Sequence, residues 1–108
     1  MLPPRLVRNS GKSDAGKRSA GHRAWVRSHM CCVPGCQSVP IECAHVRTGT
    51  GAGIGQKPSD KWCISLCRDH HTEQHTVGEA SFERAHGIDM KQLAAAFFAR
   101  SPHKGKLV

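Results

Sequence analysis

Two short clusters of cysteine and histidine constrain this chain more than any other feature of its sequence. Residues 31–36 contain three cysteines around a Pro-Gly pair that forces a tight turn. Residues 67–75 contain one further cysteine and three histidines. Thiols interleaved with imidazoles at such spacings are typical of metal sites, because a disulfide framework has no use for the histidines. The pattern therefore favours reduced, metal-binding cysteines.

One tetrahedral zinc site can be assembled from the two clusters. Cys31 and Cys36 would supply two thiolates from the tight turn. Cys67 and His70, at C-x-x-H spacing across a strand-to-helix junction, would supply the other two ligands. Cys32 is an open alternative to Cys31, since adjacent residues point in different directions. We predict a structural zinc bound by three sulphur atoms and one nitrogen atom.

The small core that this chain can build explains why such a staple is needed. The chain has 108 residues, enough for one domain, and its large aromatic side chains are limited to two Trp and three Phe. Burial of so little apolar area leaves a domain of this size marginally stable, and a structural metal adds folding free energy directly. Cys43 and Cys63 remain outside the predicted site, on the two predicted strands, where they can serve as small apolar residues.

The chain is strongly basic, with 16 Lys and Arg against 8 Asp and Glu and a net charge of +8. Residues 1–30 hold seven of the basic residues and only one acid, Asp14. Because residues 1–21 also lack apolar periodicity, we predict a disordered basic arm there and one domain over residues 22–108. A basic arm suits a polyanion such as DNA; the alternative is a solvated tail that only adds solubility.

Targeting and membrane signals are missing from the sequence. It contains neither a signal-peptide core nor a run of about 18 apolar residues. We therefore expect a cytoplasmic protein without a membrane partner, in which the thiols stay reduced. We also expect a monomer.

Apolar periodicity and turn residues predict a small α+β fold, in which a short helix precedes a two-stranded hairpin and three helices follow it. Gly87 is a predicted left-handed helix cap, and Asp89 is a predicted helix N-cap. The predicted ranges are 22–29 for the first helix, 40–47 and 61–66 for the strands, 48–55 for a Gly-rich loop between them, 68–77 and 79–86 for the next helices, 90 onward for the last helix and 101–108 for a frayed, basic end.

A second metal site is predicted on the first helix after the hairpin. His71 and His75 stand four residues apart, so they stack on one helical face and can hold one cation between them. Cys67 and His71 have the same spacing and are a competing pair of ligands. That alternative is less favoured if Cys67 lies before the start of the helix. On the first strand, His45 is a candidate general base, and Arg47 would share its face and could contact a phosphate.

The combined pattern resembles the HNH (ββα-metal) endonucleases, in a phage and prophage branch that includes the phage recombination enhancement nuclease. The resemblance covers residues 25–99, and the combination of motifs is specific although no single motif is. The segments that carry it are Ala44-His45-Val46-Arg47, Gln56-Lys57-Pro58-Ser59-Asp60, Leu66-Cys67-Arg68-x-His70-His71-x-x-Gln74-His75 and Gly78-Glu79-x-x-Phe82.

The resemblance implies a zinc-stapled, treble-clef-like ββα-metal fold with additional C-terminal helices. It assigns the general base to His45, the catalytic metal to His71 and His75, and the structural zinc to the cysteines with His70. The implied reaction is one-metal hydrolysis of DNA phosphodiester bonds, with Mg or Mn, or alternatively Zn or Ni, at the catalytic site. The implied setting is phage or prophage recombination in a bacterial host cell, with a recombinase filament as a further candidate partner.

Two positions depart from the family pattern. Ala44 stands where many HNH enzymes have a second metal-binding residue just before the base. The usual asparagine of the second strand would fall near Trp62, which has no oxygen to offer. Asp60 is the nearest side chain that could replace it, either as a third metal ligand or as the residue that orients His45, and it could equally cap a turn.

A non-catalytic, zinc-stabilised nucleic-acid-binding module explains the zinc ligands and the basic arm equally well. Positive charge contacts the backbone of a nucleic acid, so it selects neither DNA over RNA nor one strand over two. Substitution of His45 separates the two hypotheses, because a binding module would lose nothing whereas an enzyme would lose hydrolysis.

Deletion of residues 1–21 is expected to leave the domain folded and to weaken binding to DNA. Fewer phosphate contacts mean that fewer counterions are released on binding. The plot of log affinity against log salt concentration should therefore become flatter. DNA affinity measured over a range of salt concentrations, for the full and the shortened chain, tests this expectation. An unchanged slope would show that the arm contacts no phosphate.

Overall fold

The computed structural model describes residues 17–50 and 57–107 of the chain. This part of the chain forms a small α+β domain with four α-helices and one two-stranded sheet, which confirms the predicted class. A 3-10 turn over Lys104–Lys106 ends it. In chain order the elements are α1 (Ala20–Arg27), β1 (Ile41–His45), β2 (Cys63–Cys67), α2 (Arg68–Val77), α3 (Glu79–His86) and α4 (Met90–Arg100).

The two strands pair antiparallel, with Ile41 opposite Cys67 at one end and His45 opposite Cys63 at the other. All of β2 is buried, because helices α1, α2 and α4 pack against it, whereas most of β1 is half-buried. β1 is shorter than predicted and ends at His45, although one more ladder bond follows, from the Val46 N–H to the Trp62 carbonyl at 2.8 Å. Residues 51–56 of the predicted Gly-rich loop lie outside the described residues.

The apolar core forms on β2 and the last two helices. Ile64 and Leu66 of β2 are fully buried together with Phe82, Met90 and Ala94. Each large apolar side chain buried in this way stabilises the fold by about 1.5–3 kcal/mol relative to an exposed one. Such side chains are few among the described residues, which agrees with the small core expected from the sequence.

The helix ends follow local sequence signals. Cys67 precedes α2 in extended conformation, and its Sγ atom accepts the His70 N–H at 3.5 Å. Gly87 ends α3 in the left-handed region, with φ of 65°, and the Asp89 side chain accepts the Gln92 N–H at 3.0 Å to cap α4. Both predicted caps are confirmed. No helix within the described ranges is long and apolar enough to cross a membrane.

The folded domain begins earlier than the sequence predicts. The arm is predicted to continue to Gly21, whereas α1 begins at Ala20 and is capped by Ser19, whose Oγ accepts the His22 N–H at 3.1 Å. The Ser19 N–H also donates to the buried Asp60 carboxylate at 2.8 Å. Residues 17–21 therefore belong to the folded part, and a deletion that tests the arm should end at residue 16. The rest of the predicted arm lies outside the described residues.

The predicted frayed C-terminal end is wrong for residues 101–107. Ser101 is buried, and Leu107 is 6% exposed. The Ser101 hydroxyl lies 2.8 Å from Nδ1 of His22, a fully buried residue of α1. Burial lowers the pKa of His22 and so favours its neutral ring. Sequence patterning missed this contact because it joins residues 79 positions apart.

Substitution Ser101→Ala is expected to lower the free energy of unfolding by about 1–3 kcal/mol, the usual effect of leaving a buried polar atom without a partner. The His22 Nε2 atom already has no hydrogen-bond partner, so the variant would leave both ring nitrogens unsatisfied. Urea unfolding measures the change. The control is Thr76→Ala, which removes an exposed hydroxyl and should change stability by no more than about 0.5 kcal/mol. Equal effects of the two substitutions would contradict the prediction.

Candidate active site

Four predicted zinc ligands meet where the turn of residues 31–36 contacts the junction between β2 and α2. The ligand atoms of Cys31, Cys36, Cys67 and His70 all lie within 4.8 Å of one another. His70 Nδ1 is 3.4 Å from the Cys31 sulphur and 3.2 Å from that of Cys67, and the Cys36 and Cys67 sulphurs are 3.9 Å apart. Tetrahedral zinc would separate two sulphurs by about 3.8 Å and sulphur from nitrogen by about 3.5 Å. The cluster could therefore hold a metal ion such as zinc.

The geometry distinguishes the ligand alternatives that the sequence leaves open. The Cys32 sulphur lies outside the cluster, 3.5 Å from the Ser65 hydroxyl, so Cys31 is the residue that joins the other three. Gly35, with φ of 79°, permits the tight turn that brings Cys36 back towards the cluster. Cys67 precedes α2 and contacts His70, which disfavours a pair formed by Cys67 and His71.

The second predicted metal site, a pair of histidines, lies on the same helix as His70. The Nε2 atoms of His71 and His75 are 3.2 Å apart. Two imidazoles bound to one cation at about 2.1 Å would place their nitrogens about 3.0–3.4 Å apart, so the pair fits a shared metal. Nδ1 of His71 is 2.8 Å from a Glu42 oxygen, and this hydrogen bond lowers the pKa of Glu42. A carboxylate behind a histidine fixes its tautomer and ring orientation, as is usual for metal ligands.

His45 is held by a buried carboxylate. Its Nε2 atom lies 2.8 Å from Oδ1 of Asp60, whose side chain is 0% exposed. The other oxygen of Asp60 accepts the Ser19 N–H and a hydrogen bond from the Arg23 guanidinium. Burial alone would raise the pKa of Asp60, but the hydrogen bonds from His45, Ser19 and Arg23 outweigh burial and hold that pKa well below its usual range.

These contacts indicate what Asp60 can do. A carboxylate that accepts from Nε2 of His45 favours the tautomer with a proton on that nitrogen and leaves Nδ1 as the acceptor. Ligand atoms of His45, Asp60 and Cys63 also lie within 4.8 Å of one another. A metal there would have to displace the Arg23 guanidinium from Asp60, so the arrangement favours orientation of His45 over ligation of a metal.

One open cleft of about 520 Å³ collects four of the predicted site residues, and Asp60 lies behind His45 without lining it. His45, Arg47, His71 and His75 all line it. Cys43, His45 and Arg47 alternate along the chain, so the strand period brings them to the same side, as predicted for His45 and Arg47. The remaining lining residues are Arg23, Arg27, Glu42, Lys57 and Pro58. Four cations and one carboxylate give the cleft a positive balance that suits a phosphodiester.

Sequence reasoning missed three of these residues. Arg23 and Arg27 were assigned to the basic N-terminal region, although their spacing of four residues places them on one face of α1. Glu42 precedes His45 by three residues, and it is the only carboxylate on β1. Its pairing with His71 could not be found from spacing, because the contact joins a strand to a helix 29 residues away.

Comparison with known proteins identifies the family. Residues 11–105 match the family model described as "Protein of unknown function (DUF968)", so the chain belongs to that family. The chain is also 34% identical over 70 residues to the "Uncharacterized protein YdfU" of Escherichia coli (strain K12). That match covers 64% of this chain and 19% of YdfU, so the chain spans about a fifth of that relative. No solved structure matches the chain significantly.

A pair of substitutions at adjacent cysteines tests the proposed zinc site. Cys31→Ser is expected to lose bound zinc and to unfold at a lower temperature, since a site with three of its four ligands binds the metal far more weakly. Cys32→Ser is the matched control and should keep the metal. Elemental analysis after purification without chelator, together with thermal unfolding, measures both effects. Loss of zinc from Cys32→Ser, or its full retention in Cys31→Ser, would contradict the assignment.

Proposed function

We propose that this protein is a metal-dependent endonuclease of the HNH type that hydrolyses DNA phosphodiester bonds. The observation that carries the proposal is the composition of the cleft. A histidine whose Nε2 atom is held by a buried carboxylate lies in the same cleft as a histidine pair spaced for one cation, among four basic side chains. A nuclease needs these three features: a proton acceptor, a metal and phosphate contacts.

The order of elements supports the same proposal. β1 and β2 form an antiparallel hairpin, and α2 begins at the residue that follows β2. We propose that this unit is the ββα-metal unit of an HNH domain and that the cluster of Cys31, Cys36, Cys67 and His70 is its structural zinc site. On this proposal the fold is the zinc-stapled, treble-clef-like arrangement expected from the sequence resemblance.

The residues in and beside the cleft that the proposed reaction uses each have a defined task. Nδ1 of His45 takes a proton from the attacking water, while Asp60 accepts the Nε2–H and stabilises the ring as it becomes charged. Glu42 holds the His71 ring in the orientation that directs Nε2 towards the cation. Arg47 and its basic neighbours contact the phosphates. A divalent cation, when bound, supplies Lewis-acid stabilisation of the charge that develops on the phosphate.

Several parts of the proposal rest on the resemblance alone. They are the phage or prophage recombination setting, the bacterial host cell and a recombinase filament as partner. The cytoplasmic location and the monomeric state stay expectations from the sequence. Mg or Mn is proposed as the catalytic metal, because phosphate and water oxygens would complete its coordination, and Zn or Ni are the alternatives that imidazole ligands suit. The second candidate function is a non-catalytic DNA-binding module, which the basic cleft would also serve.

Substitution His45→Ala is expected to reduce DNA cleavage by about 100-fold or more, because it removes the general base. Zinc content and DNA affinity should stay unchanged, since no zinc ligand is altered and four cations remain around the cleft. Nicking of plasmid DNA, measured with each divalent metal and with a chelator, gives the rate. His103→Ala is the matched control, because it removes a histidine that does not line the cleft.

His75→Ala should fail in a different way, by losing the catalytic cation, so that excess metal partly restores cleavage. If His45→Ala cleaved at the wild-type rate in a preparation free of contaminating nuclease, the assignment of the base would be wrong. If the wild-type protein bound DNA but cleaved it with none of the metals, the binding-module alternative would replace the proposed nuclease.

A further inference from the structure

A buried glutamine links the helix with the histidine pair to the strand that carries His45. Gln74 lies on α2 between His71 and His75 and is 3% exposed. Its Nε2 atom donates to the His45 carbonyl oxygen at 3.1 Å and to Oε2 of Glu79 at 3.3 Å. Both neighbours are acceptors, so the NH₂ group must face them, and the side chain can bind in one orientation only.

Glu79 continues this link to the residues that follow β1. One carboxylate oxygen accepts the Arg47 N–H at 2.8 Å, and the other accepts the Thr48 N–H at 2.9 Å. Burial would raise the pKa of Glu79, but these backbone hydrogen bonds outweigh burial and lower it. The carboxylate therefore stays ionised at neutral pH and binds two successive peptide groups of one segment.

The two side chains act where the strand ladder of β1 ends. β1 ends at His45, and only the Val46 bond to Trp62 continues the ladder. Val46 is also buried in the core, and Asp60 holds the His45 ring, so the remaining backbone at this end is held by hydrogen bonds from the helices. From α2 and α3, Gln74 and Glu79 bond to the backbone of His45, Arg47 and Thr48, and the hydrogen bond between Glu42 and His71 adds a link nearer the start of β1.

We infer that Gln74 and Glu79 form a positioning clamp, which fixes the general base of β1 and the phosphate contact that follows it, Arg47, at a defined distance from the histidine pair of α2. The inference rests on the proposed function, because it assigns positioning residues to the same reaction. Neither residue is a catalytic residue, since each acts on the backbone of the strand. A misplacement of about 1 Å between reacting groups can cost about 100-fold in rate, so such a clamp would control turnover.

Substitution Glu79→Ala is the main test. It should lower kcat by about 10- to 100-fold and change KM and the affinity for Mn²⁺ by less than about twofold, because the metal ligands and the cationic side chains remain. Amide hydrogen exchange at Arg47 and Thr48 should become at least about tenfold faster, since both N–H groups lose their acceptor. Glu79→Gln keeps one carbonyl oxygen as an acceptor and should recover part of both losses.

Glu83→Ala is the matched control on the same helix. The Glu83 carboxylate also accepts a backbone N–H, that of Met90 at 2.6 Å, but it supports the start of α4 and does not contact β1. This variant should lose stability without a change in kcat at a temperature where it is folded. Glu79→Ala should lower kcat even at equal folded fraction, which a purely structural role would not do.

The outcomes separate the clamp from the proposed function. Unchanged exchange at Arg47 and Thr48 in Glu79→Ala, or an equal fall in kcat for Glu83→Ala, would overturn the clamp. If the wild-type protein failed to cleave DNA with every divalent metal tested, the proposed function and the catalytic meaning of the clamp would both fail. Faster exchange at the two amides would then still show that Glu79 fixes the end of β1, and unchanged exchange would refute that as well.

Discussion

One fully buried carboxylate, that of Asp60, holds together three segments that are distant in the sequence. It accepts hydrogen bonds from the Ser19 backbone, the Arg23 guanidinium and the His45 ring. An ionised group without partners at 0% exposure would cost several kcal/mol, so these contacts must form as the domain folds. Helix α1, the segment before β2 and the end of β1 are therefore assembled as a unit, and the proposed base is oriented by the same contacts.

Helix α2 is fixed at both of its ends. Cys67, the residue just before its first turn, belongs to the Cys/His cluster and lies opposite Ile41 at the start of β1. Two turns further along, Gln74 reaches the His45 carbonyl at the other end of the same strand. The helix thus runs along the hairpin, with the cluster at one end and the cleft near the other. This arrangement explains how a small core can support a site built from a strand and a helix.

Much of the fold was predictable because its signals are local. The bounds of α2 and α3 follow from periodicity and from Gly87, and the cap at Asp89 is a short-range hydrogen bond. The Cys/His cluster was predictable from the spacing of Cys67 and His70 for the same reason. The early start of α1 and the burial of Ser101 and Leu107 were not predictable, since they depend on partners that are distant in the sequence.

The sequence by itself determined which chemical groups are present and which lie on one helical turn or one strand face, such as His71 with His75 and His45 with Arg47. Only the tertiary structure decided which groups meet across elements. It placed the Glu42 carboxylate against Nδ1 of His71. It also placed the Asp60 carboxylate against Nε2 of His45 as a hydrogen-bond acceptor. The physical reason is that helical and strand periods fix relations over a few residues, whereas contacts between elements depend on how their surfaces pack and on which buried charges must be paired.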